Sequence, residues 1–174
     1  MTEQMQRVVF AAPRVVQIEQ GDIPAPAEDE LLVMTERSAI SAGSELLFYR
    51  GQVPADMSAD TSIAALADLK THYPISYGYA CTGTVVAAGS ERNSAWIGRR
   101  VFAFHPHASH FTLPATDLLP RPEDVSFARA SLLPNLETAI NFVMDGRPVI
   151  GERVAVFGLG VVGLLTTALL GRFP

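Results

Sequence analysis

The feature that most constrains this chain lies near its end. Four consecutive apolar residues, Val154-Ala155-Val156-Phe157, run into Gly158-Leu159-Gly160-Val161-Val162-Gly163 and then into an apolar stretch reaching Leu170. A short uninterrupted apolar run reads as a strand buried on both faces, and the longer run behind the glycines reads as a helix. In a G-x-G-x-x-G turn, the first glycine permits the tight bend from strand to helix. The second lets the backbone approach a pyrophosphate, and the third lets the helix pack closely on the strand. The helix N-terminus then presents unpaired N–H groups and the positive end of its dipole to the phosphates. Three glycines in an apolar segment can also mark close packing alone. The strand before them and the helix after them favour a dinucleotide site built from Gly158, Leu159, Gly160, Val161, Val162 and Gly163. The acidic residue that grips a ribose hydroxyl belongs about 20 residues further on, past Pro174, so NAD and NADP stay undivided.

The preceding sequence has a different character. Strand-like runs occur at Val8 and Phe10, at Val15, Val16 and Ile18, and from Leu31 to Met34, with a proline-rich break at Pro24 and Pro26. Two further β-prone runs cover residues 83–89 and 100–104, divided by turn residues, and a third covers 110–114. Many short strands between glycine and proline turns predict a compact β barrel. A short helical turn is expected near residues 46–49, with Ser44 as a possible cap, and residues 58–69 suggest a helix in an exposed insertion. Helical spacing becomes sustained only after Ser126. The resulting expectation is a mainly β domain over residues 1–125, a connecting helical segment over 126–150, and the opening of an α/β nucleotide-binding domain over 151–174.

Composition excludes several partners. A formal charge of −5 with 18% charged residues leaves no basic stripe for nucleic acid. The apolar run 154–170 is broken by glycines and falls short of the ~20 residues that span a bilayer, so no membrane partner is expected. The single cysteine, Cys81, rules out an internal disulfide framework and any multi-cysteine zinc knuckle. With no export signal after Met1, a cytoplasmic location is expected.

The order of parts carries a resemblance. A β-rich domain, a Gly-x-x-x-x-Gly-x-Val element, a Gly-x-Arg-Val strand (Gly98 to Val101), a Thr138-Ala139 helix and a glycine turn together resemble the medium-chain dehydrogenase/reductase superfamily over essentially the whole length. Ser38-Ala39-Ile40-Ser41-Ala42-Gly43-Ser44-Glu45 and Tyr77-Gly78-Tyr79 look most like the branch that contains bacteriochlorophyllide hydroxyethyl dehydrogenase. The resemblance implies a GroES-like barrel followed by the first strand, glycine turn and helix of a Rossmann domain, the chain being the substrate-side portion of a longer protein. It implies an NAD(P)-dependent oxidoreductase acting on an alcohol, a carbonyl or an activated alkene, with a small-molecule substrate and a homo-oligomeric full-length form.

The chain departs from the zinc-dependent members. Ser41 stands where they have a catalytic cysteine, Tyr79 and Ala80 where they have histidine and glutamate, and Pro134 where they have a cysteine or acid. None of these is a good zinc ligand, so no zinc is expected. Donors must then stabilise charge developing on oxygen. The resemblance assigns Ser44 to the family's proton relay, and Tyr79 offers a second hydroxyl; each could instead be structural, Ser44 as a cap and Tyr79 as filler. Glu45 takes the place of an aspartate that orients its neighbours, and Thr138 that of a threonine touching the nicotinamide. His105 and His107, two apart on an extended segment, are candidate substrate contacts rather than metal ligands, and Cys81 is read as a small core residue. Two alternatives remain: a non-catalytic nucleotide-binding relative, and a truncated fragment without function of its own. Either way the apolar end of the chain predicts aggregation or dimerisation.

Overall fold

The computed structural model describes residues 4–54 and 71–172; the helix expected over 58–69 lies outside the described residues. The chain divides into two compact units, one running to Ser131 and the other beginning at Leu132.

Among the described residues the first unit holds seven strands. β1 (Met5–Ala12) and β2 (Val15–Gly21) form an antiparallel hairpin sheet. β3 (Glu30–Ser38), β4 (Cys81–Ala88), β5 (Arg100–Ala103), β6 (His110–Pro114) and β7 (Leu118–Pro120) form an antiparallel sheet in the order β6-β3-β4-β5-β7. The alternation seen in the sequence is what places its core. Leu31 and Val33 on β3, Val85 and Cys81 on β4, Val101 and Ala103 on β5, and Phe111 on β6 point to one side and are fully or nearly fully buried. Side chains two apart on a strand share a face, and the β3–β4 ladder shifts register between Leu32 and Val33 and between Thr35 and Arg37.

A second, smaller core joins Phe10 of β1 to Phe48, Ile75 and Tyr77. Phe48 lies on α1 (Ser44–Arg50), the helical turn expected after residue 46, and its ring stacks on Tyr77 with centroids 3.8 Å apart. The backbone of β1 is tied to this core by reciprocal bonds between Phe10 and Ile75, at 2.8 and 3.0 Å. A short helix, α2 (Phe127–Ala130), ends the unit, with the Ser126 side chain accepting from the Arg129 N–H as its cap.

The second unit holds α3 (Leu133–Gly146) and α4 (Val161–Leu170), with the glycine turn between them. One expectation is corrected here: residues 154–157 are not a strand. A strand exists through its ladder, and no segment pairs with residues 152–159 among the described residues. The apolar run therefore stays open, with Val154 about half exposed and Phe157 at 96% exposure.

Candidate functional site

The loop between β5 and β6 is the centre of the site in the first unit. It is held on both sides: the Val8 N–H donates to His107 O at 3.0 Å, the Ser109 N–H to Gln6 O at 2.7 Å, and the Thr35 N–H to Ser109 O at 2.8 Å. Backbone so anchored delivers the His107 side chain into the interior, where it is buried. There His107 Nε2 lies 2.8 Å from Glu45 Oε2, and Nδ1 meets the hydroxyl of Ser38 at the end of β3. Glu45 is buried as well, and its other oxygen, Oε1, accepts the Ser41 N–H at 2.7 Å. A buried carboxylate requires such partners.

Gly78 makes room for this pair. Its φ is +134°, and a Cβ there would stand 2.7 Å from the His107 ring, so both its backbone and its missing side chain are needed. Tyr79 follows, and its Oη lies 3.4 Å from Ser44 Oγ. The two hydroxyls named in the sequence are thus neighbours. Ser44 does not cap α1: it is the first helical residue, Gly43 occupies the cap position, and no side-chain cap bond forms.

His105 and His107 do not act as a pair. His105 turns to stack on Phe111, with centroids 4.1 Å apart and planes 12° apart, and its Nδ1 donates to Pro106 O at 2.8 Å. Burial pulls its pKa down to about 4; the bond to Pro106 opposes this and His107 adds to it. Cys81 is fully buried and donates its thiol proton to His105 O at 3.2 Å. Burial pushes the thiol up to about 11, opposed by the Ser38 hydroxyl 3.4 Å away. Among the described residues, no group of three or more His, Cys, Asp or Glu side chains is arranged to hold a metal ion.

A pocket of about 460 Å³ opens beside this chain of polar groups, lined by Val8 and Phe10 of β1, Val16 of β2, Ser38, Ile40 and residues of α1. Sequence reasoning named Glu45 and His107 but missed Ser38 and Gly78. A lone serine far from its histidine in sequence leaves no local pattern, whereas the glycine between two tyrosines hints at a close approach.

In the second unit the three glycines of the turn lie at the start of α4. Gly158 has φ +90°, and a Cβ on Gly163 would stand 1.9 Å from Gly158 O, so α4 and the turn touch backbone to backbone. Gly160 is the cap residue of α4, without a side-chain cap bond, and no atom beyond its chain neighbours lies within 4 Å of where its Cβ would be. The N–H groups of the first helical turn have no partner within the helix. Thr138 lies on α3, where its hydroxyl donates to Pro134 O at 3.0 Å. Glu137 beside it is exposed.

The chain has the fold of known dehydrogenases. It is similar to the short chain alcohol dehydrogenase from E. coli CFT073 complexed with NADH, with a TM-score of 0.75 at 21% identity over 96% of this chain and 53% of that one. It is similar to 2R,3R-butanediol dehydrogenase from Bacillus subtilis, with a TM-score of 0.76 at 19% identity over 96% and 55%. A protein from Sinorhizobium meliloti 1021 bound to NADP, assigned as a zinc-binding dehydrogenase, matches with a TM-score of 0.73 at 20% identity over 97% and 53%. The chain spans about half the length of these structures. No protein-family model matches it. Among the described residues, no helix is long and apolar enough to cross a membrane.

Proposed function

We propose that the chain is the substrate-side portion of an NAD(P)-dependent oxidoreductase of the medium-chain dehydrogenase/reductase type, acting without zinc on an alcohol, a carbonyl or an activated alkene. The single observation that carries this reading is the turn from Gly158 to Gly163, whose open Gly160 and uncapped helix fit a dinucleotide pyrophosphate, in a fold shared with dehydrogenases that bind NADH and NADP. In this reading the backbone amides of Leu159 to Gly163 hold the diphosphate, and Thr138 lies toward the nicotinamide. The bound dinucleotide supplies or accepts hydride.

The protein's own part is polarity and proton handling. The Ser44 and Tyr79 hydroxyls, 3.4 Å apart, offer donors to an oxygen on which negative charge develops. Ser41, Tyr79 and Pro134, at the positions where zinc-dependent relatives carry ligands, lack the thiolate and imidazole donors that zinc prefers. Metal independence follows: EDTA dialysis is expected to leave turnover by the full-length protein unchanged, and loss of activity restored by zinc would refute it.

Nucleotide binding is tested by titrating the chain with NADH and NADPH and following nicotinamide fluorescence. Saturable binding of at least one is expected. Gly160→Ala should weaken it at least tenfold while circular dichroism stays unchanged, because nothing lies within 4 Å of the added Cβ. Absence of binding to both, or undiminished binding by the variant, would refute the reading.

A further inference from the structure

The pocket beside Ser38 has neither Ser44 nor Tyr79 in its walls, so it stands apart from the pair assigned to the oxidoreductase reaction. Val8, Phe10, Val16 and Leu46 make it apolar, and Ser38, His107 and Glu45 supply its polar side. Its volume of about 460 Å³ is that of a small-ligand site.

Those three side chains stand in a row. The Ser38 hydroxyl meets Nδ1 of His107, Nε2 of the same ring lies 2.8 Å from Glu45 Oε2, and Glu45 Oε1 accepts the Ser41 N–H at 2.7 Å. Hydroxyl, imidazole and carboxyl in that order activate a serine for attack on an acyl carbon, the imidazole taking the proton and the acid holding the imidazole. Compared with the serine proteases the ring is turned over, with Nδ1 toward the hydroxyl; either ring nitrogen can take a proton. His107 and Glu45 are buried, with side-chain exposures of 8% and 5%, while Ser38 at the end of β3 is exposed. The base is thus shielded from water and a ligand can reach the nucleophile. Cys81 does not compete: its thiol, 3.4 Å from Ser38 Oγ, is fully buried and donates to His105 O. Ile40 lines the same pocket, and among the described residues its N–H has no acceptor, which leaves it available to an oxygen gaining negative charge.

We propose that Ser38 is the nucleophile of an esterase site for esters with an apolar acyl chain. Ser38 Oγ bonds to the acyl carbon as its proton passes to His107 Nδ1; the ester C–O bond breaks, and the departing alkoxide takes that proton and leaves as an alcohol. Water then attacks the acyl-serine and gives a proton to Nδ1, and Ser38 Oγ departs with that proton as the carboxylic acid is released. No electrons are exchanged with a nucleotide. The reaction passes through the neutral ring with Nδ1 free, and the three groups are placed for it whichever form the resting protein adopts. Ser38 and His107 touch the reacting atoms; Glu45 is a positioning residue.

The test uses the 174-residue chain without nucleotide. Diethyl p-nitrophenyl phosphate should modify it once, with peptide mapping placing the group on Ser38. The chain should hydrolyse p-nitrophenyl hexanoate and carry a hexanoyl adduct on the same residue after acid quench. Ser38→Ala, at an exposed strand end, should lose both adducts and the turnover. His107→Ala should lower turnover roughly a hundredfold or more, the range of general base catalysis. Glu45→Gln should lower kcat at unchanged KM, a split that general loosening of the pocket would not give. An unmodified Ser38, undiminished turnover in Ser38→Ala, or full turnover in a His107→Ala variant with native circular dichroism would overturn the inference. Titration of the same samples with NADH reports on the oxidoreductase reading alone, so the two readings fail separately.

Discussion

Gly78 shows how a single missing side chain governs the site. Gly78→Ala would set a methyl 2.7 Å from the His107 ring on backbone at φ +134°, so the ring must move or the turn must strain. We expect a loss of about 1–3 kcal/mol in urea unfolding, with weaker binding at the Ser38 pocket. His105 sets a pH response. Unfolded, it takes up a proton near pH 6.5; folded, it resists until about 4. The unfolded state thus binds more protons between these values, and stability rises with pH across the window. The contribution is complete above about 6.5, is lost progressively as pH falls toward 4, and amounts to at most about 3 kcal/mol. His105→Phe, which keeps the stack on Phe111, should flatten that slope in denaturant titrations followed from pH 7 to 4. Cys81, pushed up to about 11 and fully buried, should react with iodoacetamide at pH 8 at least tenfold more slowly in the native chain than in the denatured one. At this scale the sequence was informative where a resemblance named a position, as for Ser44, Glu45 and Tyr79. It was silent on Ser38, because nothing in a local pattern says that β3 ends against the β5–β6 loop.

At the scale of elements, alternation made the strands legible, since β3, β4 and β5 each bury every second residue in one core. The run 154–157 was misread for a physical reason: apolar composition reports a demand for burial, while strand formation needs a neighbour with matching ladder groups. The glycine turn was legible because it is local chemistry. Gly158 takes its positive φ and Gly163 its close contact from the residues around them, whatever the neighbouring segment does. Gly163→Val should therefore behave unlike Gly160→Ala. With Gly158 O only 1.9 Å from the new Cβ, the turn must open, and lost helical signal in circular dichroism is expected along with lost nucleotide binding. An unchanged spectrum would show that α4 does not depend on that contact.

At the scale of the whole chain, the two units have unequal interiors. The first encloses two apolar clusters, whereas the second leaves Met144, Ile150, Val154, Phe157, Leu159 and Leu164 largely open. Exposed large apolar side chains in such number recruit dyes and other molecules. The chain should enhance the fluorescence of an apolar-surface probe such as ANS and sediment as a concentration-dependent mixture. Phe157→Asp together with Ile150→Asp should reduce both effects, and a dye-silent monomer before mutation would contradict the exposure seen here. The β-rich character of the first unit was readable in advance because alternating apolar residues between glycine and proline turns leave a strong local signature.

The grip of the N-terminal hairpin on the β5–β6 loop has a practical corollary. Val8 and Gln6 hold that loop by backbone bonds, while Val8, Phe10 and Val16 form pocket wall. Support for His107 and lining for the cavity are thus drawn from the same short stretch of chain. Grafting a hairpin with different outward residues on an unchanged backbone would re-tailor the cavity without disturbing the acid–imidazole pair. Deleting the hairpin, or stiffening it with a proline at Val8, would release both at once. Libraries aimed at new ligands should accordingly vary Val16, keep Phe10 in the smaller core, and leave the main chain of residues 6–8 alone.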